Sequence, residues 1–187
     1  MSRIAYVSGR YVPHAEARVA IEDRGYQLAD GVYDVAPVAA GAIIDLAPHL
    51  DRLDYSLREL AIAQPMPRAA LALVCAETVA RNRVGEGIVY VQVTRGVAPR
   101  DQGFTTHPVR PALVVTAKAL RWPDRAVHDP GIGVLTVPDL RWGRCDIKAI
   151  ALVANVLAKQ QARAAGAYEA WFVRPDGTIA EGASTNA

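Results

Sequence analysis

The chain has 187 residues, enough for one large domain or two small ones, each with an apolar core. Hydrophobic residues make up 51% and charged residues 21%, the balance of a soluble globular protein and not of a disordered one. A formal net charge of +2 without a block of like charge, and an aromatic content of 6%, argue against a nucleic-acid platform and a membrane-surface binder.

The segment from Met1 to Gly9 has no apolar run of secretory length, and no later stretch reaches the uninterrupted apolar length of a membrane helix. A cytoplasmic protein is expected. Ile4 to Val7, Ser8-Gly9 and Arg10 to Val12 read as a hairpin. Glu22 to Tyr26 reads as a turn or loop leading to Asp30-Gly31, followed by a strand over Val32–Ala36 and a short partner at Ala42–Ile44. From Leu46 the apolar residues Leu46, Leu50, Leu53, Leu57 and Leu60 recur at helical spacing, with Asp45 as the expected cap and Pro48 in the first turn. A second helix is expected over 68–82. Strands follow at 88–94 and 112–117, separated by a long loop, Arg95 to Pro111, of the kind that is disproportionately functional. Residues 1–120 are read as a small N-terminal domain, 121–130 as a linker and 131–187 as the first part of a larger domain. In that part a strand near 132–137, a helix over 149–165 and a hairpin, 168–173 with 178–181 about Pro175-Asp176-Gly177, are expected. The chain stops soon after the last of these strands, and a longer protein is expected.

Cys75 and Cys145 are too far apart for a disulfide framework or a zinc site, and both read as packing residues. Lys148 is the residue with the most chemistry to offer. It follows Arg141-Trp142-Gly143-Arg144-Cys145-Asp146-Ile147 and precedes the apolar run Ala149 to Ala154. A lysine that enters apolar surroundings loses hydration of its ammonium, which favours the neutral, nucleophilic amine needed for an imine. The same letters fit a lysine whose stem lies on the core while its head reaches water.

Several further segments stand in a fixed order with it: Glu22-Asp23-Arg24-Gly25-Tyr26 and Asp30-Gly31-Val32-Tyr33; His49-Leu50-Asp51-Arg52-Leu53; Gln92-Val93-Thr94-Arg95-Gly96 and Pro99-Arg100; Asn155 to Gln160; and Glu181-Gly182-Ala183-Ser184-Thr185-Asn186. In this order the sequence resembles the class IV pyridoxal-phosphate aminotransferases, and most of all the D-amino-acid aminotransferases among them. The resemblance implies an α+β, two-domain fold, truncated here at its C-terminus, with pyridoxal 5'-phosphate between the domains. It implies that Lys148 forms the internal aldimine (a Schiff base) and is the catalytic residue. It further implies that Glu181 faces the pyridine nitrogen, that Arg52 holds the phosphate, and that Ser184 and Thr185 help grip the cofactor. Tyr33 and Arg100 match the groups that hold the substrate α-carboxylate. Gln102 departs from the pattern, since the D-specific enzymes usually carry a histidine there; it can donate a hydrogen bond but carries no charge. No metal is implied.

The activity implied is transamination of small D-amino acids such as D-alanine with a 2-oxo acid such as 2-oxoglutarate. The partners implied are those substrates and a second copy of the chain, in a homodimer whose Arg100 loop reaches the neighbouring site. A branched-chain L-aminotransferase, an (R)-amine transaminase, an aminodeoxychorismate lyase and a non-catalytic binding module remain open as alternatives.

Overall fold

The computed structural model describes residues 3–121 and 130–187, arranged as two compact units. The first comprises residues 3–121 together with 146–150; the second comprises 130–145 and 151–187. The linker read over 121–130 falls almost wholly outside the described residues.

The first unit is an antiparallel sheet covered by two helices. Its strands are β1 (Ile4–Val7), β2 (Arg10–Pro13), β3 (Gly31–Ala39), β4 (Ala42–Ile43), β5 (Gly87–Thr94) and β6 (Ala112–Ala119), in the spatial order β2-β1-β6-β5-β3-β4. Alternation sets the faces, because successive side chains leave a strand on opposite sides. Val32, Ala36 and Val38 of β3, Val89, Val91 and Val93 of β5, and Leu113, Val115 and Ala117 of β6 are buried on one side. Helices α2 (Leu46–Glu59) and α3 (Arg68–Arg81) supply the facing half of the core through Leu50, Leu53, Leu57, Leu71, Cys75 and Val79.

Three local expectations change. Asp45 precedes α2 but sits at φ 50°, ψ 38°, and its side chain makes no capping bond. The turn read at Glu22 to Tyr26 tightens into a short helix, α1 (Arg24–Leu28), because Asp23 accepts the Gly25 N–H at 2.8 Å and so caps its start. Finally, residues 149–152 are not helical. The helix, α4 (Val153–Ala164), starts later, and Ala149 forms an antiparallel bridge with Val32. The N–H of Tyr33 donates to the Lys148 carbonyl at 3.0 Å, and that of Ile150 to the Gly31 carbonyl at 3.1 Å. Residues 148–150 therefore cover the first residues of β3, on the edge that β4 leaves bare. A short apolar run has the same letters in a helix and in such an added strand.

In the second unit β7 (Val134–Pro138) pairs in parallel with β8 (Glu169–Val173), and β9 (Ile179–Gly182) pairs antiparallel to β8. Helix α4 joins the parallel pair, as parallel strands require. Val137, Ala158, Ala162, Ala170, Phe172 and Ala183 form its core.

Candidate functional site

Lys148 belongs to the first unit, although it lies far along the chain. Its backbone is fixed against β3, it is half-buried, and its Nζ stands 4.8 Å from the centre of the Tyr33 ring. Tyr33 points away from the helices. It stacks on Tyr90 with centroids 5.6 Å apart, and the Tyr90 hydroxyl donates to Gln92 Oε1 at 2.7 Å. Burial, and after it the neighbouring Tyr33, pushes the Tyr90 phenol up to about 12, so it remains a neutral donor. Cys145, three residues before the lysine, is exposed and donates to the Trp142 carbonyl at 3.1 Å, contrary to its reading as a packing residue.

Asp34, the next residue of β3, points to the opposite side and is buried beside α2. Arg52 grips it bidentately, Nε to Oδ2 at 2.7 Å and Nη2 to Oδ1 at 2.9 Å. His49 Nδ1 lies 2.7 Å from Asp34 Oδ1. A carboxylate oxygen only accepts, so Nδ1 carries the proton, and its 3.1 Å approach to Arg52 Nη2 brings two donors together and is not a hydrogen bond. The hydrogen bond to Asp34, opposed by some desolvation, raises the Arg52 pKa further. Arg52 is thus a fixed cation, its Nη1 free of partners among the described residues and its side chain nearly half exposed. Asp51 and Asp54, its nearest acids in sequence, pair with Arg68 instead.

Arg100 and Gln102 are both exposed on the β5–β6 loop. The loop is anchored from below. Arg24 donates to the carbonyl of Asp101, between them, at 2.6 Å, and both Arg24 and Arg95 donate to the Asp30 carboxylate. Arg95 also lies 4.1 Å from the centre of the Phe104 ring. The loop encloses a pocket of about 310 Å³ lined by Arg24, Pro99, Asp101, Phe104 and His107, in which neither Arg100 nor Gln102 takes part.

In the second unit Glu181 accepts from Arg141, whose guanidinium is otherwise held by both oxygens of Asp139 at 2.9 and 2.8 Å and rests on the Phe172 ring. Ser184 and Thr185 follow on a tight loop in which the Gly182 N–H donates to the Thr185 carbonyl at 2.9 Å. A Cβ on Gly182 would meet that carbonyl at 2.7 Å, so only glycine fits there. Buried Glu169 holds the loop in place by accepting the Ser184 hydroxyl and amide at 2.5 and 3.2 Å. Burial alone would raise the Glu169 pKa; the bonds from Ser184, the Ala170 amide and Lys159 outweigh it and keep the carboxyl below its usual range.

The structure therefore groups Tyr33 with Lys148, ties Arg52 to the next residue of that strand, and arranges Glu181, Ser184 and Thr185 within the second unit. Sequence reasoning overlooked Asp34, Asp139, Glu169 and Ser56. The last had a visible signal, a serine on the leucine stripe of α2.

The family model for amino-transferase class IV matches residues 31–187. The D-alanine aminotransferase of Staphylococcus haemolyticus is 38% identical over 183 residues, 97% of this chain and 64% of that protein. The enzyme of the same name from Bacillus licheniformis is 38% identical over 179 residues, 96% of this chain and 62% of its own length. The chain thus spans less than two thirds of these relatives. Among solved structures, the branched-chain aminotransferase of the thermophilic archaeon Thermoproteus uzoniensis with norvaline superposes with a TM-score of 0.79 at 20% identity, covering 98% of this chain and 63% of that one. The 4-amino-4-deoxychorismate lyase of Pseudomonas aeruginosa gives 0.74 at 24%, covering 96% and 64%. At these identities the two structures establish a shared α+β fold.

Proposed function

Because this chain belongs to the class IV aminotransferase family, we propose that it is a pyridoxal 5'-phosphate-dependent transaminase moving the amino group of a small D-amino acid, such as D-alanine, to a 2-oxo acid such as 2-oxoglutarate. When bound, the cofactor supplies an aldehyde carbon for the amino group and a ring that accepts electron density. The donor set suits such a group: a primary amine at Lys148, a guanidinium with one open edge at Arg52 and a carboxylate at Glu181.

In this reading Lys148 Nζ would hold the cofactor and would move the proton at the substrate Cα. Arg52 binds the phosphate through Nη1 while Asp34 fixes its other edge. Glu181 holds a proton at the ring nitrogen, with Arg141 setting its orientation. Ser184 and Thr185 add polar groups from their loop, although the Ser184 hydroxyl already donates its hydrogen bond to Glu169. Tyr33 and Arg100 hold the substrate carboxylate, and Gln102 contributes a neutral donor. The protein works as a homodimer in the cytoplasm; no helix among the described residues is long and apolar enough to cross a membrane.

The observation that carries this reading is Lys148, held by its backbone on β3 with its amine over the Tyr33 ring. The test is incubation with pyridoxal 5'-phosphate, borohydride reduction and peptide mass mapping. The protein is expected to retain a pyridoxyl group on Lys148, and Lys148→Ala to retain none. Absence of that group from the wild type overturns the cofactor reading. Loading at Lys148 without turnover of any D-amino acid overturns the substrate assignment, and assays with L-leucine, an (R)-amine and aminodeoxychorismate then identify the class.

A further inference from the structure

We propose that Tyr55 and Ser56, consecutive residues of α2, are positioning residues for Lys148, latching its segment from the helix side while β3 holds it from the other. Ser56 is fully buried, next to Leu57 and three residues after Leu53 on the apolar stripe of α2. A hydroxyl costs stability in such a place unless it is hydrogen-bonded. Its Oγ has one hydrogen-bond partner among the described residues, the Lys148 N–H, at 3.1 Å. The hydroxyl of the preceding Tyr55 donates to Asp146 Oδ2 at 2.6 Å.

On the opposite side, the Tyr33 N–H donates to the Lys148 carbonyl and the Ile150 N–H to the Gly31 carbonyl. Both backbone groups of Lys148 are therefore fixed, one to α2 and one to β3. Ile147 is buried in the core of the first unit and holds the intervening residue down. The origin of the lysine side chain is thereby fixed, and its amine lies against the Tyr33 ring. An amine whose backbone is held in this way has less freedom to lose in reaching a carbonyl carbon than one on an open segment. A segment with no regular secondary structure on either side would otherwise be among the first to open locally.

The inference rests on the reading of Lys148 as the cofactor lysine, and the experiment separates the two. In the intact protein, Ser56→Ala, Ser56→Thr and Tyr55→Phe are compared with the wild type by two measurements. The first is amide hydrogen exchange of residues 146–150 without cofactor. The second is the rate at which Lys148 becomes covalently loaded with pyridoxal 5'-phosphate. Ser56→Ala is expected to speed exchange of 146–150 by about tenfold, with β6 unchanged, and to slow loading by roughly tenfold. Ser56→Thr, which keeps the acceptor, restores both, and Tyr55→Phe gives a smaller effect of the same sign.

Unchanged exchange or unchanged loading in Ser56→Ala overturns the latch. If that variant does not fold, Tyr55→Phe decides by the same two readings, since its hydroxyl lies at the surface. A wild type that takes up no cofactor removes the reading of Lys148 instead, and exchange alone then shows whether the latch holds the segment.

Discussion

Replacing Asp30 with asparagine tests the anchor of the β5–β6 loop. Asp30 receives three side-chain hydrogen bonds, from Arg24 Nε at 2.7 Å and from Arg95 Nε and Nη2 at 2.7 and 3.0 Å. The side chains of the two arginines are 3% and 8% exposed and that of the aspartate 12%, so none of the three charges has water to fall back on. Asparagine keeps the shape, removes the negative charge and turns an N–H₂ toward a guanidinium. Breaking a buried pair from one side costs about 3–5 kcal/mol, because a charge is left behind. Arg24 keeps the Asp101 carbonyl and Arg95 keeps those of Leu60 and Ala61, which puts the expectation at the lower end, about 3 kcal/mol at pH 7. At roughly 2–4 °C per kcal/mol for a chain of this size, the melting temperature falls by about 6–12 °C.

The pH dependence gives the reasoning a second handle. Burial by itself raises the Asp30 pKa; the hydrogen bonds and charges of Arg95 and Arg24 outweigh it and hold the carboxyl below its ordinary value. A carboxyl depressed in the folded state contributes stability that is complete above its unfolded pKa, about 3.9, and is lost as the pH falls through the folded value. The gap between wild type and Asp30→Asn is therefore constant near neutrality and narrows below about pH 4. Denaturant titrations followed by far-UV circular dichroism at pH 7 and pH 3 measure it. A loss under about 1 kcal/mol at pH 7, the scale of an exposed pair, or a gap that widens in acid, refutes the argument.

Gly96→Ala should destabilise by about 1–3 kcal/mol, since the residue sits at φ 105° and an added Cβ would run into the Arg110 carbonyl; a thermal melt no lower than that of the wild type would contradict this. Burial pushes the Cys75 thiol up to about 12, whereas Cys145 is exposed. Ellman's reagent should accordingly find one thiol in the native protein at pH 8 and two in denaturant, and two fast thiols would sink the assignment. Arg52→Lys, which cannot make the bidentate contact with Asp34, should weaken pyridoxal phosphate binding about tenfold or more in an absorbance titration while leaving the fold intact. An unchanged affinity would take Arg52 out of the phosphate site.

The strands and the two long helices were legible because alternation in β5 and β6 and the leucine spacing in α2 are local patterns written by one buried face. The residues proposed for the site were legible only through their joint order along the chain. What stayed hidden is non-local. Arg52 has Asp51 beside it in sequence, yet its partner is Asp34 on another element, and spacing carries no trace of that. The addition of 148–150 to β3 depends on a bare strand edge that only the assembled sheet creates. Asp45 failed as a cap because its backbone is left-handed, a conformation its side chain does not announce.

Tyr33 and Asp34 are adjacent on one strand and serve opposite sides of the sheet, one toward the Lys148 amine and the other toward the Arg52 guanidinium. Their separation is set by a single pleat and does not depend on any loop. A register slip of one residue between β3 and β5 would exchange the two faces, burying the phenol among leucines and putting the carboxylate beside the lysine. Inserting or deleting one residue in β3 therefore disables both proposed ends of the site together. The residues between β5 and β6, 95–111, carry no strand register of this kind, so a change there reaches only the proposed substrate contacts while the strand keeps its count.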